Sequence, residues 1–216
     1  VDGPVLEDDS KSFVGLHPVP ILYGLTIGEY AKMINGEKWL NNNIQAKLTV
    51  IKMDNYNREF EYQLKSKPSP NLPNLKSINL YPSLCFFEQT PVSVGRGTEM
   101  QFQVIGSPNW NNQPFSFTPR PNFGAKNPKH NGIKCFGLDL RHEKKLSKIN
   151  LGWLIEAYNY SPEKEKFFRS GFYRLAGTKK LENQIKAGMS AEEIKSTWKK
   201  DIESYMTIRN KYMLYN

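Results

Sequence analysis

The sequence has few of the residues on which metal and thiol chemistry depend. Its 216 residues include two cysteines, Cys85 and Cys135, and three widely separated histidines, His17, His130 and His142. None of them has partners at a spacing typical of a zinc site, so we expect no metal and no cofactor. Both cysteines stand beside apolar or aromatic neighbours, which favours buried thiols and leaves a disulfide as the alternative.

Long apolar runs and the common nucleotide and hydrolase signatures are also missing. No run approaches the roughly 18 apolar residues of a membrane-spanning helix. There is no P-loop, no G-x-G-x-x-G and no G-x-S-x-G in the chain. The chain opens on Val1-Asp2-Gly3-Pro4 rather than on methionine. We therefore expect a processed or truncated product, in which a missing targeting segment excludes nothing.

A formal net charge of +9 is the first positive signal. Excess positive charge favours anionic partners such as nucleic acid, acidic polymers or a charged cell envelope. Lysines and arginines are interspersed with acids and form no long basic run, which is typical of a solvated mixed surface. A nucleic-acid binder would rest on net charge alone, and we expect no nucleic-acid partner.

Hydrophobic patterning predicts a mixed α/β fold. Strands are predicted from β-branched runs and apolar alternation over 48–51, 100–104 and 133–140, the last with a bulge at Gly137. Helices are predicted from periodicity and cap residues over 26–36, 151–158, 161 onward, 181–187 and 190–212. Loops are predicted up to Pro20, over 67–82 and over 107–131.

A glycine-flanked arginine turn carries the clearest functional signal, in the order Ser93-Val94-Gly95-Arg96-Gly97-Thr98. Glycines let the backbone bend and approach a ligand closely, and a guanidinium between them can offer its planar fork to a carboxylate or phosphate. Glu88 lies shortly upstream. Taken singly, Glu88 is more often a surface or capping acid and Arg96 a structural ion-pair partner. Their closeness to one turn indicates a polar ligand site.

Aromatic, amide and hydroxyl side chains recur in the surrounding loops. Carbohydrate sites use this mixture, because aromatic faces stack on sugar rings while polar groups bind the hydroxyls. The set comprises Tyr23, Ser69, Asn71, Tyr81, Glu88, Arg96, Thr98, Trp110 and Asn122. The composition favours a ligand-binding loop set over purely structural turns.

Segments along essentially the whole chain, in matching order, resemble a bacterial family of exo-β-N-acetylmuramidases, long known only as a domain of unknown function. They include Val1-Asp2-Gly3-Pro4-Val5-Leu6, Pro68-Ser69-Pro70-Asn71-Leu72-Pro73, Cys85-Phe86-Phe87-Glu88, Gly95-Arg96-Gly97-Thr98 and Tyr212-Met213-Leu214-Tyr215. The chain departs from the family pattern at Tyr23, Gln89 and Val94, where the family often has His, Gly and Glu. A Pro-Glu-His-Gly segment, which carries the family's favoured catalytic carboxylate, does not occur here.

The resemblance implies the C-terminal half of a two-domain glycoside hydrolase. Residues 1–90 would complete or pack on an upstream Rossmann-like domain, and 91–216 would form a C-terminal mixed α/β domain with a helical tail. The implied reaction is release of N-acetylmuramic acid from the non-reducing end of peptidoglycan fragments during cell-wall recycling. The implied location is the periplasm or the cell exterior, and the expected partners are muramyl sugars and the upstream domain.

The resemblance also implies roles for individual residues. Glycoside hydrolysis usually needs two carboxylates that flank the bond. The principal one is expected upstream, and Glu88 is the candidate here, as the second carboxylate or as an acceptor for sugar hydroxyls. We expect Arg96 to bind the lactyl carboxylate of muramic acid in a bidentate pair. The same cleft would be lined by Thr98, Asn71, Tyr23 and Ser69. The alternative is a non-catalytic cell-envelope glycan-binding module, which needs these loops but no carboxylate pair.

Overall fold

A computed structural model describes residues 1–215 and shows the mixed α/β architecture that the sequence predicts. The strands are β1 (Asp2–Val5), β2 (Pro20–Leu22), β3 (Val104–Ser107), β4 (Phe115–Phe117) and β5 (Cys135–Asp139). The α-helices are α1 (Ile27–Gly36), α2 (Leu75–Leu84), α3 (Gly152–Tyr160), α4 (Phe172–Ala176), α5 (Lys180–Lys186), α6 (Ala191–Ser196) and α7 (Lys199–Asn210). Among these residues, no helix is long and apolar enough to cross a membrane.

The first sheet is an antiparallel pair of β1 and β2, with Asp2 opposite Leu22 and Val5 opposite Pro20. Strand β1 and the first residue of β2, Pro20, lie in the segment that the sequence predicts as a loop, so that prediction is wrong for them. Proline is tolerated at the first position of an edge strand, where no ladder hydrogen bond is lost. The Asp2 carboxylate accepts a hydrogen bond from the Ile149 amide at 2.8 Å and pairs with Lys195 at 3.0 Å. These contacts fix the N-terminal strand on the helical last third.

The second sheet has the strand order β3-β5-β4, with both pairings antiparallel. The predicted strand over 133–140 is confirmed as β5. The predicted bulge at Gly137 is wrong, because Gly137 lies in continuous register opposite Gly106. Glycine is required there for another reason: a Cβ on Gly137 would collide with the carbonyl oxygen of Ile105. The two backbones therefore pack at the centre of the sheet.

Two other predicted strands fail, in whole or in part, because within residues 1–215 no strand pairs with residues 48–51 or 100–103. Residues 48–51 have no regular structure, and Ile51 is 91% exposed. Val50 packs instead where a Cβ on Gly28 of α1 would lie. Of the segment 100–104 only Val104 is in a strand, because the preceding residues form a turn with Phe102 at φ +51°. A β-branched or alternating run forms a strand only where a neighbouring strand supplies its hydrogen bonds.

Capping boxes locate helix starts correctly at Thr26 and Ser190. The helix that begins after Ser190 is interrupted, so the predicted segment 190–212 becomes α6 and α7. The predicted loop over 67–82 is wrong from residue 75 onward, because Asn74 and Ser77 form a further capping box that starts α2. The helix predicted from Ser161 is only a 3-10 turn, Lys164–Lys166.

The core is rich in aromatic side chains and extends beneath the segment that carries Glu88. Phe86 and Phe87 are fully buried, and the ring of Phe86 lies 6.2 Å from that of Phe172 in α4. Cys85 and Cys135 are free, buried thiols, so the disulfide alternative is not formed. Burial raises the pKa of Cys85 to about 12 and that of Cys135 to about 11.

Candidate functional site

Glu88 lies at the end of a 3-10 turn, Cys85–Gln89, that directly continues α2. Phe86 and Phe87 direct their rings into the core. The Glu88 side chain is 30% exposed. Apolar burial of its neighbours therefore fixes the backbone and leaves the carboxylate at the surface of a cleft.

The Arg96 turn needs both of its glycines. Gly95 has φ +76° and Gly97 has φ +84°, a backbone region that side chains with a Cβ rarely adopt. A Cβ on Gly97 would also lie 2.6 Å from the carbonyl oxygen of Arg120 and 2.7 Å from Pro128. The turn is thus packed tightly against a neighbouring loop, and the Arg96 side chain points outward with 42% exposure.

The structure brings Glu88 and Arg96 together, as the sequence predicts. Nη1 of Arg96 donates to Oε1 of Glu88 at 3.2 Å. Nη2 of Arg96 lies 3.5 Å from the carbonyl oxygen of Gly124, which also accepts a bond from Nδ2 of Asn71 at 2.7 Å. One carbonyl therefore links the arginine turn to the proline-rich loop that carries Asn71.

Hydroxyl groups in these loops are engaged in local structure. The Thr98 hydroxyl donates to the Gly95 carbonyl at 2.7 Å and accepts from the Met100 amide at 2.9 Å. The Ser69 hydroxyl accepts from the Asn71 amide at 3.2 Å. Such side-chain bonds stabilise turns. Thr98, Ser69 and Asn71 hold the backbone around the cleft, and their predicted contact with substrate stays a prediction.

A cavity of about 520 Å³ opens beside the Glu88–Arg96 pair. Its charged lining consists of one acid, Glu88, and four basic residues, Arg96, Lys126, Lys129 and Arg169. This balance favours a ligand with negative charge. Sequence reasoning found Glu88 and Arg96 but missed the other three, because they come from distant loops and carry no motif of their own.

Lys129 is the most constrained of these basic residues. Its ammonium group donates to the carbonyl oxygens of Phe87 at 2.6 Å, Thr90 at 2.6 Å and Val92 at 3.1 Å. Burial lowers the pKa of Lys129 to about 7, with a further lowering by Arg169 and an opposing effect of Glu88. The three carbonyl bonds fasten the segment on both sides of Glu88, from Phe87 to Val92.

A second cavity, of about 320 Å³, lies on the other side of Glu88 and is more aromatic. Tyr23 and Tyr81 line it together with Glu88, which borders both cavities. The Tyr23 ring stacks on Tyr30 with centroids 4.9 Å apart. Burial raises the pKa of Tyr81 to about 12, and Cys85 and Glu88 add to the shift. Tyr23 and Arg96 thus line different cavities, and Glu88 borders both.

Two further candidates, the aromatic Trp110 and the amide Asn122, contact other parts of the protein. Trp110 is buried, with its ring 6.2 Å from that of Tyr160. Asn122 donates from Nδ2 to the carbonyl oxygen of Thr98 at 3.3 Å. Trp110 lines neither the 520 Å³ nor the 320 Å³ cavity.

Comparison with known families assigns the chain. The sequence model of the family described as Exo-beta-N-acetylmuramidase NamZ, C-terminal, matches residues 79–215. The corresponding N-terminal family model matches residues 1–76. The chain belongs to the NamZ exo-β-N-acetylmuramidase family. The resemblance inferred from short segments is therefore confirmed over almost the entire chain.

Individual relatives of the NamZ family agree. The chain is 33% identical over 235 aligned residues to the Peptidoglycan beta-N-acetylmuramidase NamZ of Bacillus subtilis (strain 168), covering 100% of this chain and 56% of that protein. A crystal structure of a DUF1343 family protein from Bacteroides fragilis NCTC 9343 superposes with a TM-score of 0.97 at 46% identity. That match covers 100% of this chain and 62% of the other. A second DUF1343 structure from the same organism, at 24% identity and a TM-score of 0.78 with the same coverage, shares the fold. The chain thus spans just over half the length of these relatives.

Proposed function

We propose that this chain supplies the sugar-binding part of an exo-acting glycoside hydrolase. Its reaction would release N-acetylmuramic acid from the non-reducing end of peptidoglycan fragments. Membership in the NamZ family supports this reaction, as does similarity to a protein named a peptidoglycan β-N-acetylmuramidase. The observation that carries the proposal is the Glu88–Arg96 pair at the border of a cationic cavity and an aromatic one.

The scarcity of acids in the two cavities supports an active site shared between this chain and a second domain. Glycosidases usually place two carboxylates on either side of the bond that breaks. Among residues 1–215, Glu88 is the one acid that lines either of the two cavities. We propose that the principal catalytic carboxylate comes from an upstream Rossmann-like domain. Glu88 then serves as the second carboxylate or accepts hydrogen bonds from sugar hydroxyls.

The two cavities suit different parts of a muramyl sugar. Tyr23 and Tyr81 line the aromatic cavity, where their rings would pack against the apolar side of a pyranose. Arg96 holds Glu88 at the polar side of the sugar, from a turn whose glycines adopt the left-handed backbone conformation. Ser69, Asn71 and Thr98 support the two loops. We place the protein in the periplasm or outside the cell, in cell-wall recycling, because its proposed substrate is a peptidoglycan fragment.

The test uses the complete polypeptide and two disaccharides that contain the same two sugars in opposite order. One carries N-acetylmuramic acid at the non-reducing end, and the other carries N-acetylglucosamine there. We expect free N-acetylmuramic acid from the first and no product from the second, measured by chromatography with mass detection. Hydrolysis of neither, or equal hydrolysis of both, would contradict the proposal.

The alternative is a non-catalytic glycan-binding module, which the single acid in the cavities favours. The same experiment separates the two. A complete protein that binds the first disaccharide in calorimetry but never cleaves it is a binding module. Cleavage that disappears in Glu88→Gln while binding persists assigns the carboxylate to the reaction.

A further inference from the structure

Two of the basic residues in the 520 Å³ cavity have no partner for their charge. Within residues 1–215, the guanidinium of Arg169 and the ammonium of Lys126 make no hydrogen bond or ion pair with another side chain or with the backbone. Both residues are exposed and line the cavity. Arg96, in contrast, is engaged by Glu88 and by the Gly124 carbonyl. The uncommitted positive charge therefore lies on Arg169 and Lys126.

Arg169 stands on a fixed backbone. Its amide donates to the Gln89 carbonyl at 3.0 Å, and its carbonyl accepts from the Phe172 amide at 2.9 Å. The preceding residue, Phe168, is 7% exposed and packs in the core. A side chain on such a backbone can bind a ligand with little ordering of the main chain.

The basic residues of the cavity act on one another. Burial is the main cause of the lowered pKa of Lys129, and Arg169 and Arg96 lower it further while Glu88 opposes them. Lys129 therefore lies near enough to both guanidinium groups to be repelled by them. An anion that enters the cavity would relieve this repulsion, because it would add the negative charge that Glu88 alone does not supply.

We infer that Arg169, assisted by Lys126, forms a carboxylate subsite that distinguishes muramic acid from glucosamine. This inference rests on the proposed function. It gives Arg169 the contact with the lactyl carboxylate that sequence reasoning assigns to Arg96. Arg96 then holds Glu88 in place beside the sugar. An arginine fork matches the two oxygens of a carboxylate, so Arg169 is the specific group and Lys126 adds charge.

The test measures binding of free N-acetylmuramic acid and N-acetylglucosamine to the complete protein by calorimetry. Arg169→Gln is expected to weaken binding of N-acetylmuramic acid by about tenfold or more, since one charge-assisted contact is lost. Binding of N-acetylglucosamine stays within twofold of wild type, on the order of the experimental error. Arg169→Lys lies between wild type and Arg169→Gln for the muramyl sugar. Lys126→Gln weakens the same sugar by a smaller factor.

Lys200→Gln is the matched control, because it removes one positive charge from an exposed position on α7, outside the cavity. It is expected to leave both affinities unchanged. Arg169→Gln overturns the inference if it leaves the preference for N-acetylmuramic acid intact or weakens both sugars equally. Wild-type protein that binds the two sugars equally overturns the inference. Wild-type protein that prefers N-acetylmuramic acid but hydrolyses neither disaccharide contradicts the proposed reaction and leaves the subsite standing.

Discussion

Glu88 and Arg96 meet at 3.2 Å across the border of two cavities, and both side chains remain partly exposed, at 30% and 42%. An exposed ion pair of this kind contributes only about 0–1 kcal/mol to stability. Its geometry is better explained by a role in the site, because the pair fixes a carboxylate beside the space that a sugar would fill. Substitution of Arg96 should therefore change activity far more than folding.

Arg96→Lys in the complete protein is expected to lower the turnover of the muramyl disaccharide by about tenfold. A lysine ammonium is a point charge and does not reproduce the planar fork that reaches both Glu88 and Gly124. The preference for muramic acid should persist, since Arg169 is unchanged. Steady-state kinetics with both disaccharides measures the effect. Arg141→Lys is the control, because Arg141 pairs with Asp139 at 2.7 Å away from both cavities. Wild-type turnover in Arg96→Lys would refute the positioning role.

The cleft is built from tight turns rather than from long helices or strands. The Arg96 turn is held by the Thr98 hydroxyl. The neighbouring turn closes with reciprocal backbone bonds between Asn122 and Ala125 at 3.0 and 3.2 Å. Gly97 packs against Arg120 and Pro128, which flank that neighbouring turn in the sequence, only because it has no Cβ. The position of Arg96 thus depends on a backbone contact between two loops.

Gly97→Ala is expected to destabilise the protein more than Gly188→Ala, although the two glycines have similar φ values of +84° and +79°. Both changes add the cost of a left-handed residue, about 1–2 kcal/mol. Only Gly97→Ala also adds overpacking, about 1–3 kcal/mol, because a Cβ on Gly188 meets nothing within 4 Å. Urea unfolding of both variants gives the comparison. Equal losses of unfolding free energy in the two variants would show that the Arg96 turn and the loop around Arg120 and Pro128 can move apart without an energetic cost.

Local signals account for what the sequence predicts well among these elements. The capping boxes at Thr26 and Ser190 depend on residues three positions apart and are visible in the sequence. Strands β1 and β2 are missed because each is very short and their pairing joins segments that are not adjacent in the sequence. Arg169 and Lys126 are missed because only the tertiary fold brings them to the cavity that Glu88 lines.

Contacts between distant segments unite the whole molecule, and Glu29 provides the clearest case. Its side chain is fully buried, caps α1 at Thr26, pairs with Arg58 and accepts from the Leu214 amide at 2.7 Å. Burial alone would raise the pKa of Glu29, but the bonds from Arg58, Leu214 and Thr26 outweigh it and lower the pKa to about 2. One carboxylate thus joins an early helix, an irregular loop and the C-terminal tail.

A lowered carboxyl pKa stabilises the folded state at pH values above the ordinary value of 4.5, and this stabilisation is lost as pH falls toward 2. For Glu29 it amounts to as much as about 3 kcal/mol. Glu29→Gln should therefore lower the free energy of unfolding at pH 7 and flatten its decline between pH 4.5 and pH 2. Urea titrations across this range measure both effects.

Glu193→Gln is the matched control, because Glu193 occupies the same position in a capping box but, within the described residues 1–215, its carboxylate bonds only to Ser190. At pH 7, Glu193→Gln should lower the free energy of unfolding by clearly less than Glu29→Gln does. A Glu29→Gln protein with wild-type stability at pH 7 would show that the three segments are held by other contacts.

The central claim is that the cleft around Glu88 holds a muramyl sugar. A crystal structure of the complete protein with N-acetylmuramic acid tests it most directly. We predict the sugar beside Glu88 and Arg96, with its carboxylate directed toward Arg169. An ordered sugar bound elsewhere, with both cavities beside Glu88 empty, would contradict the account.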